Sequence, residues 1–148
     1  MLPLPRRWLS SLLVRVEGRM TLFDCGEGTQ IAWRESGWGF RRLDAVCISH
    51  THADHIAGLP GLLHAVANAG RTELIDVFGP VGTTEVVQGL RTIAPVLPFD
   101  VRVIELAGGE QFPLPGELQG ACIAGDHALP VLAYRVDLSR GRAFLPDN

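Results

Sequence analysis

Apolar and polar positions along the chain fall into short blocks of two kinds. Leu12, Val14 and Val16 alternate with more polar neighbours, Glu17-Gly18 follows, and residues 19–24 form a second apolar stretch. This is the pattern of a β-hairpin closed by a tight turn. The stretches 43–49 (LDAVCIS) and 74–80 (LIDVFGP) are nearly continuous apolar runs, as expected of strands buried on both faces. Between them, Ile56, Leu59, Leu62, Leu63 and Val66 recur at helical spacing, and Gly70 supplies a stop. A glycine-bearing loop at 25–28 leads into a short helix ending at Gly37. Residues 82–94 predict a helix with Thr83 or Thr84 as N-cap, ended near Pro95. Residues 101–106, 121–125 and 131–138 predict three further strands.

A hairpin, then alternating strands and helices, then strands again predicts an α/β (α+β) fold of layered sheet and helix. Its site is expected at strand ends, where such folds place ligands. No repeat, low-complexity tract or linker divides residues 1–148, which read as one domain. The composition, 47% hydrophobic and 20% charged, is that of a chain able to bury a core. No run approaches the roughly 20 apolar residues of a membrane span. Arg15 interrupts the apolar N-terminal stretch and no small-residue cleavage site follows, so this segment reads as cytoplasmic structure, not a signal peptide. The net charge of −3 excludes a generally basic, nucleic-acid-coating surface but leaves room for a local basic patch. Cys25, Cys47 and Cys122 are widely spaced and suggest neither disulfides nor a cysteine-zinc site.

The densest chemistry lies at residues 50–55, HTHADH, between a buried strand and a helix. In an extended loop, residues two apart point the same way, so His50 and His52 can converge on one metal ion. Asp54 and His55 fall where the chain turns into the helix and can face a second. Imidazole with carboxylate suits zinc, or manganese or iron at the harder end. Two ions held close together can share a hydroxide nucleophile and clamp the oxygens of a displacement at phosphorus or carbon. The plainer reading makes Asp54 a helix N-cap, a role compatible with metal binding. His127 lies in a loop between two strands, within reach of the cluster. His64, two turns into the helix, reads as a packed or surface histidine, and Asp126 as a loop residue. In LFDCGEGTQ, Asp24 ends a strand, where it can orient a ligand histidine; the plainer and compatible reading is a strand-to-helix turn in which Asp24 satisfies local amides. Gly26 and Gly28 let backbone N–H groups turn outward.

These residues resemble the metallo-β-lactamase superfamily. HTHADH, preceded by the aspartate of FDCGEGTQ, is similar to its HxHxDH signature. CGEGTQ, HIAGLPGLL, the strand end FGP and the run HALPVLAY (127–134) are similar to the ribonuclease Z branch, the tRNA 3′-processing endonucleases. The resemblance implies an αββα sandwich of which this chain is roughly the N-terminal half. It implies that His50, His52 and His127 hold one Zn2+ while Asp54 and His55 hold a second, with Asp54 also accepting a proton from the attacking water. The implied reaction is hydrolysis of a phosphodiester that removes the 3′ trailer from a tRNA precursor, in a cytoplasmic homodimer. The branch's opening strand, bridging aspartate, last ligand histidine and tRNA-gripping arm have no match here, and Asp147 does not stand in the bridging context. The expectation is therefore one zinc or fewer, little or no nuclease activity of these 148 residues alone, and an unpaired sheet edge open to association. Two alternatives remain: a hydrolase of small phosphodiesters or esters on the same fold, and an inactive metal-binding fragment. Arg135, Arg140 and Arg142 could touch RNA phosphates, although arginines at a chain end are more often solvated.

Overall fold

The computed structural model describes Leu2 and residues 4–138. Arg140, Arg142 and Asp147 lie outside the described residues. Among the described residues, eight strands form two sheets, one ordered β1-β2-β3-β4-β5 and the other β6-β7-β8. The hairpin pairs β1 (Leu12–Val16) with β2 (Arg19–Phe23) antiparallel. Its turn residues Glu17 and Gly18 both have positive φ, 50° and 77°, the backbone that matches the twist of the flanking strands. β2 then runs parallel to β3 (Leu43–Cys47), β3 to β4 (Ile75–Gly79) and β4 to β5 (Val101–Glu105). All four parallel strands therefore point their C-terminal ends the same way.

Alternation along β3 divides the core between two layers. Val46 and Ile48 pack with the helix residues Trp33, Leu59, Leu62, Val66 and Val87, and so does Leu43, which a register shift opposite Met20 and Thr21 sets apart from the alternation. Ala45 and Cys47 face the other way, onto Phe112, Leu114, Leu118, Cys122 and Leu132 of the second sheet. Side chains on a strand alternate between faces, so a continuous apolar run is what a strand between two layers requires. Each fully buried Leu, Ile or Val contributes about 1.5–3 kcal/mol. The helices are α1 (Thr29–Glu35), α2 (Ala53–Ile56), α3 (Leu59–Asn68) and α4 (Thr83–Arg91).

Several boundaries differ from the sequence expectations. The helix predicted from the 56–66 spacing is broken at Ala57-Gly58 into α2 and α3, and Pro60 sits in the first turn of α3, where its missing N–H costs nothing. Neither Thr83 nor Thr84 caps α4. Gly82, with φ 95°, takes that position, and Glu105 Oε1 on β5 accepts the N–H groups of Gly82 and Thr84 at 3.1 and 2.8 Å. The cap is thus supplied across the fold, which no local pattern reveals. The strand predicted at 121–125 is β7 (Leu118–Ala124), and it pairs with an unpredicted β6 (Gln111–Leu114) and with β8 (Leu132–Leu138). Pro113 disguises β6, and it is tolerated because β6 is an edge strand.

Candidate metal centre

The described histidines other than His64 gather at the C-terminal ends of β2 and β3. Ile48 extends β3 through an N–H bond to Phe78 O at 2.7 Å, and the chain then leaves the sheet. His50, His52 and His127 each aim a ring nitrogen so that all three lie within 4.8 Å of one another. His127 Nε2 is 3.2 Å from His52 Nδ1, and the His50 ring lies 4.9 Å from the His52 ring and 4.8 Å from that of His127. His50 is buried and His127 is exposed, so the cluster has a closed floor and an open mouth.

The loop bearing His127 is fastened to the motif strand. Leu132 N–H donates to Ser49 O at 2.9 Å, and Tyr134 Oη donates to Ile48 O at 2.8 Å. Burial pushes the Tyr134 hydroxyl pKa well up, with the neighbouring Cys47, Cys122 and Asp24 adding to the shift, so it remains a donor. This accounts for the tyrosine that closes HALPVLAY: it ties the second sheet to the end of β3.

Asp24 orients the cluster from below. Its φ of 58° is a left-handed conformation uncommon outside glycine, and it turns the carboxylate back toward the motif. Oδ1 accepts the Ser49 N–H at 2.7 Å, while Oδ2 lies 2.7 Å from His55 Nδ1 and accepts Ser49 Oγ at 3.0 Å. Ser49 Oγ in turn stands 3.0 Å from His50 Nδ1. One carboxylate therefore fixes His55 directly and His50 through Ser49, leaving Nε2 of each ring for other work. Ser49 was not foreseen as a site residue; its position between the strand and the first histidine was the only signal.

Asp54 does not cap the helix. His52 occupies the N-cap position of α2, and Asp54 lies in the first turn with Oδ2 3.7 Å from His55 Nε2. Among the described residues the three-histidine group contains neither Asp54 nor His55, although the His55 ring lies 4.0 Å from that of His50. His64 is exposed on α3 and Asp126 is exposed on the His127 loop. Gly26 N–H does not turn outward but donates to Ser10 O at 3.0 Å. The glycine is needed for space: a Cβ at Gly26 would overlap Asp54 O and Leu9, and one at Gly58 would overlap Gly26 O. The loop after β2 and the α2–α3 junction meet backbone to backbone, joined by Cys25 N–H to His55 O at 2.7 Å and Gly58 N–H to Cys25 O at 2.9 Å.

The donor set fits a zinc-like ion. Bonds of about 2.0–2.1 Å in a tetrahedron place nitrogens about 3.3 Å apart, close to the His52–His127 separation. A ligand imidazole must be neutral. Burial lowers the His50 pKa, and the charges that His55, His127 and His52 would carry lower it further, against a smaller opposing effect of Asp24.

The family model "Anti-Pycsar protein Apyc1" matches residues 5–77. Ribonuclease Z of Clostridium kluyveri is 45% identical over 144 residues, 97% of this chain and 48% of the relative. Ribonuclease Z of Agathobacter rectalis is 47% identical over 147 residues, again 97% and 48%. Human tRNase Z, short form (ELAC1), superposes with a TM-score of 0.79 at 27% identity, over 93% of this chain and 61% of that one. The chain carries the metallo-β-lactamase fold with a ribonuclease Z-like sequence. It spans about half the length of the curated ribonuclease Z relatives it matches. The metallo-β-lactamase-fold protein YhfI from Bacillus subtilis, at TM-score 0.73 and 22% identity over 91% of this chain and 54% of that one, repeats the fold.

Proposed function

We propose that this chain supplies the metal-binding part of a zinc-dependent phosphodiester hydrolase of the ribonuclease Z kind, which removes the 3′ trailer from tRNA precursors. The observation that carries the reading is the convergence of His50, His52 and His127, three imidazoles joined in one place from two sheets. His50, His52 and His127 would hold one Zn2+, and Asp54 and His55 belong to a second site. Bound zinc supplies Lewis acidity at a phosphoryl oxygen and water acidic enough to attack near neutral pH. The chain's own residues set the geometry. Asp24 holds the His55 ring and, through Ser49, the His50 ring. Asp54, in the first turn of α2, would accept the proton of the attacking water. Three histidines and water make a workable zinc site, whereas Asp54 and His55 alone make a weak one. One zinc or fewer and little or no activity of these residues alone follow.

The same reading gives a tRNA precursor as substrate, the cytoplasm as location and a homodimer as assembly; the ribonuclease Z resemblance supports all three. No helix among the described residues is long and apolar enough to cross a membrane. The test joins this chain to the part of Clostridium kluyveri ribonuclease Z that its match leaves uncovered. Trailer removal by the chimera, abolished by His52→Ala, is the expected result. A folded, metal-loaded chimera that hydrolyses a small phosphodiester but leaves the precursor intact would shift the function to small substrates. One that hydrolyses neither would leave a metal-binding fragment.

A further inference from the structure

The ends of β2, β3 and β4 opposite the histidines carry a second concentration of charge. Arg19 opens β2, Arg41 and Arg42 end a 3-10 turn immediately before β3, and Arg71 precedes β4. With Asp44 and Glu73 they line a cavity of about 230 Å3. An adjoining cavity of about 270 Å3 shares Arg41 and Arg42 and adds Arg15 and Trp38. A chain of net charge −3 thus sets five arginines against two carboxylates in one place.

Only part of this charge is used internally. Arg71, 3% exposed, spends its guanidinium on the carbonyls of Glu73, Arg41 and Leu74 and on Asp44 Oδ1, and so braces the turns before β3 and β4. Asp44 also faces Arg19 Nε at 2.7 Å, so one carboxylate serves two guanidiniums. Arg41 and Arg42 are exposed, and among the described residues neither guanidinium has an ion pair or hydrogen bond. Beside them the Arg15 guanidinium lies 5.5 Å over the Trp38 ring, which remains 37% exposed.

We propose that this band binds phosphate groups, carried by a polynucleotide strand or a free nucleotide, with Arg41 and Arg42 on the phosphate and Trp38 against a base. Guanidinium forks match phosphate oxygens two at a time, and aromatic rings beside arginines are how single strands are held without sequence preference. Five-residue strands rising about 3.3 Å per residue put the band about 15 Å from the histidines, so it is a separate site.

Fluorescence anisotropy with a short 5′-labelled single-stranded RNA tests this. The Arg41→Ala/Arg42→Ala variant is expected to bind about tenfold or more weakly and to flatten the salt dependence by about one to two ions. Arg42→Glu alone should weaken binding more than Arg42→Ala, and Arg91→Ala, an arginine on α4 that lines neither cavity, should leave it unchanged. Displacement of the RNA by ATP supports a free-nucleotide ligand, and RNA that ATP cannot displace supports a polynucleotide. No binding by the wild type, or equal affinity and salt slope for a variant of matched melting temperature, overturns the proposal.

Discussion

At the scale of single residues, the fold holds a ring of imidazoles whose positions depend on groups that are not themselves in the three-histidine group. Asp24→Asn tests this cleanly, because asparagine also tolerates the left-handed backbone found at this position. The carboxylate bond to His55 Nδ1 and the charge behind Ser49 are lost. Zinc affinity, measured by competition with a chromogenic chelator, is expected to fall about 10–100-fold with little change in circular dichroism. Tyr134→Phe removes the bond to Ile48 O while keeping the ring. It should cost about 1–3 kcal/mol in urea denaturation and weaken zinc binding through the His127 loop. His50 gives the pH dependence. The folded chain holds its proton less tightly than the unfolded chain does. Its share of the metal-free protein's stability is therefore full above the ordinary value of 6.5 and is lost as pH falls through that value toward the lowered one. The urea midpoint of the metal-free protein should drop between about pH 7.5 and 5, and drop less in His50→Gln.

At the scale of elements, the parts fixed by their own pattern were legible and the parts fixed by a partner were not. The hairpin, β3 and β4 followed from alternation, the Glu-Gly turn and unbroken apolar runs, because burial on one or both faces acts on each strand directly. The convergence of His50 and His52, with His127 in reach, was legible because spacing along an extended loop sets which way side chains point. The cap of α4 was not, since Glu105 reaches it from 21 residues away from Thr84. Nor was β6, whose Pro113 argues against a strand unless its edge position is known. The break between α2 and α3 hid inside a good helical pattern, and its cause is the close approach of Gly26 and Gly58. Gly58→Ala should shift that junction, costing about 1–3 kcal/mol in denaturant unfolding through the overlap with Gly26 O. If stability and zinc affinity both match the wild type, the backbone approach does not position α2.

At the scale of the whole molecule, two sheets and two layers of core side chains serve one junction. The first sheet brings His50 and His52 from the end of β3, and the second brings His127 from the loop between β7 and β8. The cluster therefore exists only when both sheets are packed. The core between Cys47, Phe112, Cys122 and Leu132 therefore holds the three-histidine cluster together as much as the loops that carry the imidazoles. The most direct measurement is the zinc content of the purified 148-residue chain by elemental analysis, beside His52→Ala. About one zinc per chain, lost in the variant while its circular dichroism is retained, is the predicted result. A folded wild-type chain that holds no zinc, or a His52→Ala chain that holds as much as the wild type, would contradict a metal centre at this junction.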